Sequence, residues 1–253
     1  MKKIAVIISI LLAPYVSYSY PNGTLMYVTD MSPACASCHS AAKAEYMPEL
    51  PADLAKNETP EFKHYGLVRM PSMPSPYLEL TEDQKDRIVK EAKAVDSNSS
   101  VTLSAPTRVK KGEEIKVTVK ARGGDGPVVC LMLVDRPLRF QARPIQSDGW
   151  MIMDEPVVKG QDGKVQTAWL DKRIKGLKRN LNFVTVMDQK YDLDKGVFPS
   201  GEVVYTLKAP SMPGTYSLTA AFLYGTENAD KAGFFQRPSG RILFSEEMKV
   251  QVE

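Results

Sequence analysis

The chain predicts a two-domain protein: a small all-α domain over residues 20–96, then an all-β antiparallel sandwich over 101–253. Three observations predict this. Residues 20–96 are rich in Ala, Pro and helix formers, whereas 101–253 are rich in Val, Thr and period-two alternation. A polar stretch, Asp96-Ser97-Asn98-Ser99-Ser100, separates them, with 97–100 as the linker. At 253 residues the chain is long enough for one large or two small domains.

The amino terminus predicts export. Lys2 and Lys3 precede an apolar run, Ile4 to Val16, and Ser17-Tyr18-Ser19 supplies a small-x-small cleavage signature, so residues 1–19 read as a signal peptide. The run is too short for an ordinary membrane span, and no later segment approaches the ~20 apolar residues one needs. Without residues 1–19 the chain carries 31 basic against 30 acidic residues, where the whole chain has a net charge of +3. So balanced a charge excludes nucleic-acid binding on electrostatic grounds. The expected location is the periplasm or the cell surface.

Cys35-Ala-Ser-Cys38-His39 then carries the chemistry. Two thiols at this spacing add across the vinyl groups of one porphyrin, and the adjacent His ligates the iron, so Cys35 and Cys38 predict covalent attachment of one haem c and His39 its proximal ligand. A thioredoxin-like couple expects a strand before the motif, and none is signalled. A zinc site needs four ligands, and the rest of the chain offers only Cys130 and His64. A structural disulfide is the other alternative. With His39 committed and His64 alone remaining, no Ser-His-Asp or Cys-His set can form, which excludes nucleophilic hydrolysis of those kinds.

Around the motif, Ser32-Pro33 reads as a helix start, predicting a helix through Cys35, Cys38 and His39 to about Tyr46. Residues 47–80, with prolines at 48, 51, 60, 71, 74 and 76, read as loop, and His64 as an exposed loop residue. Thr81 and Gln84 form a capping box, with Glu82 and Asp83 in the first turn and Ile88, Val89, Ala92 and Val95 on an inner face. The order Cys-x-x-Cys-His, Met73-Pro74, acidic-capped helix resembles a class I cytochrome c across roughly residues 30–96. That resemblance implies an all-α cytochrome c-like domain with Met73 as distal ligand, Met70 and His64 being alternatives. Met73 follows His39 by 34 positions, a short interval for that family. A thioether raises the potential and a second imidazole lowers it, whereas an open position would admit gases or peroxide.

Beyond the linker, Ile115-Lys-Val117-Thr-Val119 alternates cleanly, Gly123-Gly-Asp-Gly126 makes a turn, and Val128–Val134 reads as a strand buried on both sides. Further strands are expected at Leu138–Ala142, Trp150–Met153, Val165–Leu170, Leu181–Met187, Glu202–Leu207, Tyr216–Leu223 and Ile242–Val252. Pro213-Gly214-Thr215-Tyr216 resembles the lead into a late strand of immunoglobulin-like domains, which implies a Tyr hydroxyl tying down a corner. Leu138–Arg143 and Ala220–Gly225 weakly resemble exported Reeler-like or choice-of-anchor sandwiches. Met132, Met151 and Met153 read as core packing in preference to a soft copper site. Cys130 reads as a buried thiol, and the basic run Lys172–Arg179 as a solvated loop.

The function these residues predict is single-electron transfer to or from a protein redox partner by an exported monohaem protein, the sandwich serving to dock or localise it. The alternatives are a haem-based gas or redox sensor and the haem-bearing subunit of an exported oxidoreductase; sixth-ligand occupancy separates them.

Overall fold

The computed structural model describes residues 39–71, 75, 77–168, 181–226 and 240–253. Its frame is a pair of β-sheets. One contains β1 (Ser40–Ala41), β3 (Arg108–Val109), β5 (Val129–Val134), β9 (Phe183–Val186), β11 (Gly214–Gly225), β12 (Gly240–Phe244) and β13 (Met248–Val252). The other contains β2 (Ser100–Ser104), β4 (Glu114–Arg122), β6 (Met151–Ile152), β7 (Val157–Lys159), β8 (Val165–Gln166) and β10 (Ser200–Lys208). β11 organises the first sheet: β12 and β13 follow one another along it, β5 pairs with it antiparallel, and β9 lies beyond β5. The pairs β1–β12 and β3–β13 are parallel.

Alternation places the core. Ile115, Val117, Val119 and Ala121 of β4 are buried between exposed or partly exposed neighbours, as are Val203, Tyr205 and Leu207 of β10 between partly exposed ones. They meet Leu131, Leu133, Val184, Val186, Ala220, Phe222 and Val250 of the first sheet in the main core. Tyr205 crosses the gap, its hydroxyl donating to the Asn182 carbonyl at 3.1 Å. Tyr216 ties down its corner by donating to the Met212 carbonyl at 2.9 Å. The turn after β4 uses left-handed glycines, Gly123 (φ 126°) and Gly124 (φ 84°), a region closed to most side chains.

β5 and most of β11 are buried on both faces, because the first sheet is covered on its outer side as well. There Cys130, Met132, Val134, Phe183, Ala221, Leu223, Ile242 and Phe244 pack with Ala41, Tyr46, Met47 and Ala55. The Tyr46 ring stands edge-on to Phe244 with centroids 5.0 Å apart, and its hydroxyl donates to the Phe244 carbonyl at 3.1 Å. The chain from residue 40 is therefore built onto the sandwich as an outer layer.

This overturns the expected cytochrome c-like all-α domain and, with it, the likeness to class I cytochromes. The protein is predominantly β, and its described α-helices are α1 (Ala52–Asn57), α2 (Leu67–Arg69) and α3 (Glu82–Ser97), of which only α3 exceeds two turns. The helix expected to run through His39 to Tyr46 is replaced, over its described part, by β1 and a 3₁₀ turn at Ala44–Tyr46. Helix propensity in this Ala-rich stretch yields to tertiary pairing: Ser40 and Ala41 extend the sheet beside Arg241 and Ile242, and the Ala42 N–H donates to the Ile242 carbonyl at 3.0 Å.

Residues 47–80 are not simply loop either. Pro51 stands at the N-cap of α1, and Pro60 at the N-cap of a π-helical turn, Glu61–Gly66, that runs on into α2. Proline costs nothing at a position whose N–H has no helical partner, so these prolines start helices rather than break them. α3 follows its sequence signal: Thr81 Oγ1 accepts from the Gln84 N–H at 3.3 Å, and Gln84 Oε1 accepts from the Thr81 N–H at 2.9 Å. Val89 and Ala92 then pack on Tyr65 and Val68. Leu138–Ala142 forms no strand, and only Val165–Gln166 of the expected Val165–Leu170 strand does so within the described residues.

Candidate functional site

Cys35, Cys38 and Met73 lie outside the described residues, as does the basic run Lys172–Arg179. His39, His64 and Met70 are described, and the structure treats them differently. His39 immediately precedes β1 and lies against β12. Its ring occupies the space where Gly240 lacks a side chain: a Cβ there would fall 1.9 Å from Nδ1 and 2.3 Å from Cε1. Only glycine permits this approach.

Two buried arginines frame the same spot. Arg139, in the loop after β5, is fully buried; its Nη2 donates to the His39 carbonyl and its Nη1 to Glu58 Oε2 at 2.6 Å. Glu58 also holds Lys63 at 2.6 Å. Arg241, on β12, is fully buried as well; its Nη1 donates to Ser40 Oγ at 2.8 Å. Its Nε and Nη2 donate to Asp96 Oδ2 at 3.1 and 2.9 Å. Asp96 further accepts from the hydroxyls of Tyr65 and Tyr224, the latter at 3.0 Å. Burial first, then the Asp96 charge, pushes the Tyr65 and Tyr224 phenols above their ordinary range.

The electrostatics at His39 follow. Burial pulls its imidazolium pKa down to about 4; the Gly240 backbone opposes this, while the charges of Arg139, Arg241 and Lys63 reinforce it. The ring is therefore neutral at pH 7, the form that ligates a metal. Its Nδ1 is enclosed and makes no hydrogen bond of ordinary geometry. A ligating His commonly donates from its other ring nitrogen to a carbonyl, and the Gly240 backbone lies alongside. A neutral imidazole seated on β12, with two thiols one and four residues before it, fits an iron ligand of an attached haem. Both carboxylate oxygens of Glu49, whose charge acts on Arg139, are likewise enclosed without a hydrogen bond.

His64 is buried (4% exposed), not an exposed loop residue. Its Nδ1 lies 2.9 Å from Arg241 Nη2, and its Nε2 lies 3.5 Å from the Tyr77 hydroxyl. A guanidinium has donors only, so Nδ1 accepts and the ring proton sits on Nε2. A nitrogen carrying that proton is not set up to bind iron. Met70, past the end of α2, is 80% exposed. Met132 is fully buried in the outer cluster, whereas Met151 on β6 is 56% exposed, so the two methionines serve different surfaces. Among the described residues there is no group of three or more His, Cys, Asp or Glu that could hold a metal ion. Among them, too, no helix is long and apolar enough to cross a membrane.

No motif in the sequence singles out the buried pair of arginines. Leu138-Arg139-Phe140 and Gly240-Arg241-Ile242 do carry a signal, an arginine inside an apolar stretch, which is rare unless the charge is paired.

Comparison with known proteins adds little. No family model matches the chain, and no curated protein does. Among solved structures, the CARDB domain of a Pyrococcus furiosus protein, crystallised in complex with di-metal ions, aligns with 62% of this chain and 88% of its own. Its TM-score is 0.26 at 9% identity.

Proposed function

We propose that the protein is an exported carrier of one c-type haem, tethered by Cys35 and Cys38 and ligated by His39, that passes single electrons to or from a protein partner. The observation that carries this reading is the Cys35-Ala-Ser-Cys38-His39 sequence ending on an imidazole held neutral and seated in a glycine-floored cradle. When bound, the haem supplies a one-electron iron couple whose potential follows its axial ligands and surroundings. The chain's own residues seat the ligand, exclude water from its Nδ1 side and fix the charge around it.

Exposed apolar side chains also support a large apolar ligand here. Leu54, Phe62, Leu67, Met70 and Leu78 are all exposed and fall in the stretch that follows β1. That stretch is tied to β1 by the hydrogen bond from the Ala41 N–H to the Glu58 carbonyl at 3.1 Å. Exposed apolar side chains in the stretch that follows the motif are of the kind a porphyrin would cover. For the distal position Met73 is kept, with Met70 and His64 as alternatives, the Nδ1 of His64 being taken up by Arg241 Nη2 at 2.9 Å. The sandwich then acts as the docking or localising body, in the periplasm or at the cell surface.

The test is production of the chain with haem-maturation machinery and intact mass measurement. The expected result is one covalent haem on the parent chain and none on Cys35→Ala/Cys38→Ala. An unmodified parent chain under conditions that mature a control c-type protein would refute the assignment.

A further inference from the structure

We infer that Arg139 and Arg241 form a two-sided clamp that holds His39 on Gly240 and favours the ferrous state of iron bound there. The inference rests on the haem assignment above and concerns what the chain does to that haem. Both guanidiniums are fully buried, and each is shared in the same way. One end grips the backbone or side chain beside the ligand: Arg139 Nη2 the His39 carbonyl, Arg241 Nη1 the Ser40 hydroxyl. The other end meets a carboxylate, Glu58 for Arg139 and Asp96 for Arg241.

In both pairs the cation is therefore the nearer member to His39 and the anion the farther. The two pairs are close to neutral as wholes, yet their dipoles point positive toward the ligand. Ferric haem carries one more positive charge than ferrous haem, so this arrangement disfavours the ferric state, and it does so in a poorly screened interior. Lys63, which shares Glu58 with Arg139, adds to the same field. The grip on the His39 carbonyl and on Ser40 also fixes the backbone on both sides of the ligand's attachment to β1. Arg139 and Arg241 are thus positioning residues that act through His39.

Because each arginine meets a carboxylate, the clamp makes a prediction of sign that packing alone does not. Removing Arg139 (Arg139→Gln) lowers the midpoint potential, whereas removing its counter-ion (Glu58→Gln) raises it. Arg139→Lys, which keeps the charge and loses the fork, stays near the parent value. The expected shifts are about tenfold each in the ferrous-to-ferric ratio at fixed poise, or about 59 mV for one electron. Glu58→Gln removes the charge at a partly exposed position, 30% exposed, and its amide oxygen can still accept from Arg139. Arg139→Lys keeps the guanidinium's charge, and far-ultraviolet dichroism of each variant establishes that it is folded before its potential is read.

The measurement is a spectroelectrochemical titration of the haem-loaded full chain and these variants, after mass spectrometry has established covalent haem in each. Opposite shifts for Glu58→Gln and Arg139→Gln, or an upward shift for Glu58→Gln by itself, support the clamp. Covalent haem with an unmoved or lowered potential in Glu58→Gln overturns the clamp and leaves the haem assignment standing. No covalent haem in the parent chain overturns both.

Discussion

At the scale of single residues, His39 and Asp96 determine how the site responds to its surroundings. His39 has a folded pKa of about 4 against an ordinary 6.5, chiefly through burial. The unfolded chain therefore binds more protons between these values, and folding stability rises with pH across that window. In a haem-free chain (Cys35→Ala/Cys38→Ala) this contribution is complete above pH 6.5 and is lost as pH falls toward 4, by about 3 kcal/mol at 1.36 kcal/mol per unit. Urea unfolding at pH 7 and 4.5 measures it; adding His39→Gln should flatten the difference, and an unchanged pH slope would mean that the ring is solvated. Asp96 accepts from Arg241 and two tyrosines, so Asp96→Asn strands a fully buried guanidinium. The expected loss is about 3–5 kcal/mol, read as a lowered urea midpoint. A loss below about 1 kcal/mol would show that water reaches Arg241.

At the scale of elements, the parts fixed by local chemistry are the ones a reader of the sequence recovers. α3 begins where Thr81 and Gln84 place it, and Thr81→Ala should destabilise by about 1 kcal/mol in thermal or urea unfolding through loss of the cap. β4 follows its alternation, and β5 its unbroken apolar run. The elements at the candidate site depend instead on distant chain. β1 exists because β12, two hundred positions away, offers an edge, and nothing around Ser40 and Ala41 announces it. The π-helical turn that carries His64 and Tyr65 into the core is hidden behind prolines that serve as helix starts. Gly240→Ala tests the seat that β12 provides for His39. The variant should keep the sandwich, seen in its far-ultraviolet dichroism, and lose the parent's ligand field in the haem absorption spectrum. A spectrum identical to the parent's would mean that His39 binds elsewhere.

At the scale of the whole molecule, the sandwich is part of the site as well as its support. Its first sheet buries both faces, and the outer layer runs from Ala41 through Tyr46, Met47 and Ala55 onto Met132, Phe183 and Phe244. Arg139 and Arg241 come from the loop after β5 and from β12, so the sheet itself supplies the groups that hold the His39 carbonyl and the Ser40 hydroxyl. A resemblance based on the order of short motifs could not reveal this, since a five-residue motif such as Cys-x-x-Cys-His signals a chemistry and not a fold. Function as an electron carrier further requires that small molecules be kept from the iron. The most direct measurement is the absorption spectrum of the matured protein, oxidised and reduced, with and without carbon monoxide. The expected result is a covalently held haem, a ferric charge-transfer band of Met–iron ligation and no response to carbon monoxide. Prompt carbon monoxide binding would contradict electron transfer and favour sensing or catalysis, and the absence of covalent haem would contradict the account at its root.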